Sequence, residues 1–186
     1  MLEEIIQEVQ EQMEKAMEAL GRNLTGIRTG RASVAMLDGL RVDYYGNSTP
    51  LNQLATLSVP EPRLITIKPW EQNLIPIIEK AILSDPSLGL NPNSDSTLIR
   101  LAIPDLTEER RREITKVARQ RGEEGRIAVR QARRDGNELL NEAKKDGEIS
   151  EDEVRNGQID IQELTDAYVK KIDALLETKE AEIMEV

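Results

Sequence analysis

The chain has 186 residues, 38% of them hydrophobic and 32% charged, with a net charge of −10. It contains no Cys and no His, which removes disulfides, thiolate nucleophiles, imidazole bases and nearly every zinc or transition-metal site. Aromatics are scarce, at one Trp, three Tyr and no Phe, so the core must come from Leu, Ile, Val, Met and Ala, a palette suited to helix bundles.

Met1-Leu2-Glu3-Glu4 lacks the basic flank and apolar run of a signal peptide, and no stretch approaches the ~20 apolar residues of a membrane span. Cytoplasmic residence with no membrane association is the expectation.

From Leu2 to Ile27 the apolar positions Leu2, Ile6, Val9, Met13, Ala16, Leu20, Leu24 and Ile27 advance by four and three, one face of a long helix. That pattern stops at Thr29-Gly30-Arg31. Between Leu40 and Ile103 β-branched residues, prolines and turn dipeptides concentrate instead. Leu40 to Tyr45 reads as a strand, ended by turn chemistry over Gly46-Asn47-Ser48-Thr49-Pro50. Thr56 to Val59 and Arg63 to Lys68 read as short strands around Pro60-Glu61-Pro62. A helix over Leu74 to Leu83 tolerates Pro76 in its first turn, Gly89 to Asn93 reads as a loop, and Thr97 to Ile103 as the last strand.

Helix returns after Leu106, with Thr107 placed to cap it and Glu108 and Glu109 in its first turn, and runs to Lys144-Lys145 before Gly147. Ser150-Glu151-Asp152-Glu153 has the form of a capping box and opens a third helix through Val154, Ile161, Leu164, Tyr168, Ile172 and Leu175. The simplest packing is an α+β protein of two domains. Residues 1–30 and 105–186 form a long antiparallel three-helix bundle, and residues 31–104 an inserted small β/α/β domain. Gly30, Arg31, Pro104 and Asp105 mark the two crossings and are candidate hinge positions.

The search for catalytic motifs finds no glycine-rich dinucleotide or phosphate loop and no nucleophile beside a histidine, so a binding protein rather than an enzyme is expected. One charge feature departs from the average. Residues 110–134 carry ten cations, Arg110, Arg111, Arg112, Lys116, Arg119, Arg121, Arg126, Arg130, Arg133 and Arg134, against Glu113, Glu123 and Glu124. That segment stands at +7 and the remainder at −17.

Arg112, Lys116, Arg119, Arg126, Arg130 and Arg133 share one helical face, with Glu123 at the missing step. The core face is read as Ile114, Val117, Gly125, Ala128, Ala132 and Leu139, which turns the basic stripe outward. Arginine suits bidentate phosphate contact. A stripe without aromatics reads backbone and shape, as for structured RNA. The competing reading pairs these arginines with acids of the third helix, although exposed pairs contribute only about 0–1 kcal/mol each. Trp70, Tyr44 and Tyr45 are read as core residues of the insert. A coiled-coil adaptor, or an enzyme working through carboxylates and a divalent metal, remains as an alternative class.

The strings Ile27-Arg28-Thr29-Gly30-Arg31-Ala32-Ser33, Tyr44-Tyr45-Gly46 with Thr49-Pro50-Leu51, Gly89-Leu90-Asn91-Pro92-Asn93, Leu106-Thr107-Glu108-Glu109-Arg110-Arg111 and Val129-Arg130-Gln131-Ala132-Arg133-Arg134-Asp135 resemble, in order and spacing, the ribosome recycling factor family. The resemblance covers essentially the whole chain. It departs around Ser84-Asp85-Pro86-Ser87 and Asp95-Ser96-Thr97.

The resemblance implies an L-shaped monomer that binds the post-termination ribosome. With elongation factor G and its GTP hydrolysis, such a factor helps split the subunits, and it carries no cofactor of its own. It implies that the bundle docks on rRNA of the large ribosomal subunit through Arg28, Arg31, Arg130 and Arg133, with Arg110, Arg111 and Arg126 as further candidates. The insert and hinge would face elongation factor G.

Overall fold

The computed structural model describes residues 1–86 and 88–185; Ser87, one of the positions departing from the family strings, lies outside the described residues. The chain divides into two compact units, residues 1–29 with 107–186, and residues 30–106.

The first unit is three long helices: α1 (Leu2–Thr25), α3 (Glu108–Lys145) and α4 (Glu151–Met184). Thr107 caps α3 by accepting the N–H of Arg110 at 3.1 Å, with Glu108 and Glu109 against the positive end of the helix dipole. The other end closes with Gly147 in the left-handed region (φ 74°), its N–H bonded to Lys144 O and that of Glu148 to Ala143 O. The Ser150–Glu153 box is complete: Glu153 N–H donates to Ser150 Oγ at 3.2 Å and Ser150 N–H to Glu153 Oε2 at 2.7 Å.

Contacts fix the directions. Gly136 of α3 faces Val9 and Ile161, and Gly125 faces Leu20 and Ile172, so α3 runs antiparallel to both neighbours. Tyr168 of α4 donates its hydroxyl to Glu14 of α1 at 2.7 Å, and Gly157 faces Leu2, so α1 and α4 are parallel.

The core register on α3 agrees with the sequence expectation at Ile114, Gly125 and Ala132 and differs from it at Val117, Ala128 and Leu139. Its buried positions are Ile114, Ala118, Gly122, Gly125, Val129, Ala132, Gly136, Leu140 and Ala143. Val117 is exposed, as is Ala128, and Leu139 is only half-buried. Small residues explain the difference: the seam is lined by glycines and alanines into which Leu20, Leu176, Val9 and Ile161 insert, so hydrophobicity points to the wrong face. α1 buries Ile5 rather than Ile6, and α4 buries Leu176 rather than Leu175 and leaves Leu164 half-buried.

The second unit contains β1 (Arg41–Tyr44), β2 (Asn47–Pro50), β3 (Ala55–Glu61), β4 (Leu64–Pro69), α2 (Ile75–Leu83), β5 (Pro92–Ser94) and β6 (Ile99–Ala102). β1 and β2 form a hairpin, and β3-β4-β6-β5 a four-stranded antiparallel sheet. Residues 47–50, expected as turn, are strand. The turn is only Tyr45 (φ 49°) and Gly46 (φ 86°), two consecutive left-handed residues of a two-residue hairpin, steadied by Gly46 N–H donating to Asp43 Oδ1.

The end of the expected 89–93 loop likewise enters β5, which β6 recruits. Asp95 then turns the chain: Oδ1 accepts the backbone N–H groups of Thr97 and Leu98, which hold the carboxyl well below the usual carboxylate range. The core gathers Val42, Ile65, Ile67, Ile78, Ile82, Ile99 and Leu101 between sheet, hairpin and α2. Trp70 and Tyr45 are outside it, 65% and 71% exposed. Trp70 follows the end of β4 with its indole N–H on Thr56 Oγ1, and Tyr45 occupies the hairpin tip, so neither faces inward.

Candidate nucleic-acid interface

All of the expected α3 arginines lie on one 38-residue helix, but they do not form one site. At about 1.5 Å per residue, Arg110 and Arg111 are roughly 30 Å along the axis from Arg130 and Arg133. Arg110 pairs with Glu113 at 2.9 Å, and the Nε of half-buried Arg111 is buried without a hydrogen-bond partner. Arg28 and Arg31 are exposed in the segment beyond α1, Arg28 in the first unit and Arg31 in the second.

The stripe lies on the flank of α3 that turns toward α4, and its members have different employments. Arg119 Nε donates to Glu180 at 2.6 Å. Arg126, whose side chain is 20% exposed, donates from Nε at 2.9 Å and Nη2 at 2.6 Å to Asp173 Oδ1, and from Nη1 at 3.1 Å to Glu123. These carboxylates raise both guanidinium groups above the ordinary arginine value, Glu180 for Arg119 and Asp173 for Arg126. The pairing with acids of the third helix weighed from sequence therefore occurs at Arg119 and Arg126. These two are braces between helices.

Arg130 and Arg133 are held more loosely. Arg130 contacts Glu123 at 3.3 Å, and Arg133 contacts Gln162 Oε1 at 3.4 Å, both long for charge-assisted bonds. The two arginines edge a hollow between α3 and α4 whose far side is Gln162, Asp166 and Lys170, with Thr165 and Val169 beneath. Gln162 also donates to Asp166 Oδ1 at 2.9 Å, so one carboxylate stands among the cations of the hollow.

Sequence reading missed Lys170. Its only signal was the Lys170-Lys171 pair in an otherwise acidic helix, and the two diverge: Lys171 lies over the Tyr168 ring, 4.6 Å from its centroid, while Lys170 borders the hollow. Three cations thus surround one concave strip of surface. Such an edge can accept the phosphate oxygens of a nucleic-acid backbone.

A family model described as ribosome recycling factor matches residues 20–184. The chain belongs to the ribosome recycling factor family. It is 52% identical to the ribosome-recycling factor of Desulfatibacillum aliphaticivorans over 185 residues, covering 100% of both chains. It is also 52% identical to that of Syntrophomonas wolfei, with 100% of each covered.

Among solved structures it is similar to the solution structure of a ribosome recycling factor (TM-score 0.77, 44% identity, 100% of this chain and 98% of that one). A second similar chain comes from models for the T. thermophilus ribosome recycling factor and the E. coli elongation factor G bound to the E. coli post-termination complex (TM-score 0.65, 44% identity, 100% of both chains). The α+β architecture of long helices with a small β unit is that of the family.

Among the described residues no group of three or more Asp and Glu is placed to hold a metal ion, and no helix is long and apolar enough to cross a membrane.

Proposed function

We propose that this chain is a non-enzymatic translation factor that binds the post-termination ribosome. Together with elongation factor G and the GTP which that partner hydrolyses, it promotes separation of the subunits for a new round of translation. Family membership over the full length carries the task. The observation that carries the contact is the hollow of Arg130, Arg133 and Lys170 between α3 and α4, beside Arg119 and Arg126, which acids of α4 already occupy.

In this reading the hollow takes backbone phosphates of large-subunit rRNA. Arg28, Arg31, Arg110 and Arg111 supply a second contact, and Arg126 acts from behind by fixing α3 against α4. The protein works in the cytoplasm as a monomer with no cofactor of its own.

The connections between the units serve as the hinge. Support comes from how the insert secures its ends: Ala32 N–H donates to Pro62 O at 2.7 Å, Ile103 N–H to Arg63 O at 2.8 Å, and Asp105 pairs with Arg63. Pro62 and Arg63 are adjacent at the β3–β4 turn, so the chain is tied to one place on entering and leaving. Rotation is then concentrated at Gly30-Arg31 and just beyond Asp105.

Sedimentation with ribosomes over a range of salt concentrations tests the contact. The hollow offers three cations, Arg130, Arg133 and Lys170, and the second contact four more. Log affinity should then fall with log salt at a slope between about −2.5 for the hollow alone and about −6 for all seven. Arg130→Ala with Arg133→Ala should weaken binding and flatten the slope by about 1.5. An unchanged slope in the double variant would remove this face as the RNA contact.

A further inference from the structure

We propose that Glu123 is a specificity-determining residue of the RNA face, a carboxylate set among the arginines that holds Arg130 in readiness and disfavours RNA that does not fit the surface. The inference rests on the reading of α3 as the RNA-binding element.

Glu123 stands at the one step of the stripe where the cation is missing, between Arg119 and Arg126. Both of its oxygens are engaged: Oε2 accepts from Arg126 at 3.1 Å and Oε1 from Arg130 at 3.3 Å. The two contacts have unequal backing. Arg126 is itself forked onto Asp173 at 2.6 and 2.9 Å and is largely covered, so it anchors the carboxylate. Arg130 is 40% exposed and bound to Glu123 through one Nη alone. A guanidinium has five N–H donors, so that contact steadies the side chain and leaves its outer edge for a phosphate.

The same carboxylate carries a charge that any approaching phosphate feels. The carboxylate is 51% exposed, and Arg126 holds it in place. Glu123 does not line the hollow, so a backbone seated there meets Arg130 and Arg133 without a phosphate set directly against this carboxylate. A duplex lying anywhere along α3 meets Glu123 as readily as the arginines. Repulsion at close range is then a penalty on loose binding and a small one on fitted binding, which is how a like charge improves discrimination. The unpaired alternative, a stripe of seven cations, would attract any polyanion.

Glu123→Gln keeps the size of the side chain and one oxygen that can accept from Arg126 or Arg130 while removing the charge. The control is Glu124→Gln, which removes the same charge from the neighbouring residue, an acid paired with Arg121 at 3.2 Å and off the stripe. Both variants and the wild type are titrated with a generic RNA duplex of about 16 base pairs and with ribosomes.

The expected result for Glu123→Gln is an affinity for the duplex at least about fivefold higher and a log–log salt slope steeper by about one. Ribosome affinity should change less than twofold, and Glu124→Gln should move neither ratio. In an Arg130→Ala background the effect of Glu123→Gln should largely disappear. Equal gains from both glutamate variants would reduce the effect to net charge and overturn the proposal, as would a Glu123→Gln protein with an unchanged duplex-to-ribosome ratio. If Arg130→Ala with Arg133→Ala binds ribosomes as the wild type does, the RNA-face reading falls and takes this inference with it.

Discussion

A Cβ added at Gly136 would lie 2.4 Å from Cγ2 of Val9 and 3.0 Å from Cδ1 of Ile161, whereas one added at Gly21 meets nothing within 4 Å. The same substitution should therefore have opposite signs at two helical positions. Gly136→Ala forces the α1 and α4 side chains aside and should destabilise by about 1–3 kcal/mol. Gly21→Ala relieves a flexible residue inside α1 and should stabilise by about 0.5–1 kcal/mol. Urea unfolding followed by circular dichroism separates them; equal effects would show that the seam can open to accept a methyl.

These glycines also explain what the sequence hid. A residue without a side chain carries no hydrophobic signal, yet Gly122 and Gly136, which the sequence did not single out, join Gly125, which it did, in marking where α3 touches its neighbours most closely. Trp70 misled in the opposite direction. Burial preference assigns a lone tryptophan to the core, but the end of β4 leaves it on the surface with its N–H on Thr56.

At the scale of elements, the helix ends were the most legible feature, because caps are local chemistry. Thr107, the Ser150–Glu153 box and Gly147 all function as their positions suggest. Strands β2 and β5 were not legible: Asn47-Ser48-Thr49-Pro50 and Pro92-Asn93-Ser94 are turn-forming by composition and become strand only because β1 and β6 pair with them.

The capping box makes a pH prediction. The Ser150 N–H holds the Glu153 carboxyl below its ordinary value, so the folded state binds that proton less readily than the unfolded chain. The stabilisation is present above the unfolded carboxylate range, near pH 4.3, and is lost as pH falls through the lowered folded value. Glu153→Ala should thus be less stable than the wild type at neutral pH, with the gap closing on acidification below about pH 4. Thermal melts at several pH values measure it, and a gap constant down to pH 3 would rule out the carboxylate as its source.

On the scale of the whole molecule, charge and connectivity divide the labour. The acid excess lies outside α3; under the proposed function it would keep the surface at large from holding RNA while the basic helix localises the contact. The proposed hinge at the two crossings would let the units turn relative to one another without disturbing that helix. In the insert, Leu106 Cγ lies 3.3 Å from where a Gly30 Cβ would be, so residues on the two crossings are within reach of one bond.

Because the chain has no cysteine of its own, Gly30→Cys with Leu106→Cys gives one protein whose crossings are stapled when oxidised and free when reduced. Gly30 has φ 80°, so both forms bear the same backbone strain, and comparing them cancels it. The oxidised form should sediment with ribosomes as the reduced form does, yet split post-termination ribosomes in the presence of elongation factor G and GTP at least about tenfold more slowly. Dithiothreitol should restore the rate. Equal splitting by the two forms would mean that independent torsion at Gly30-Arg31 and at the second crossing is not what elongation factor G acts upon. The force would then have to pass through the bundle itself.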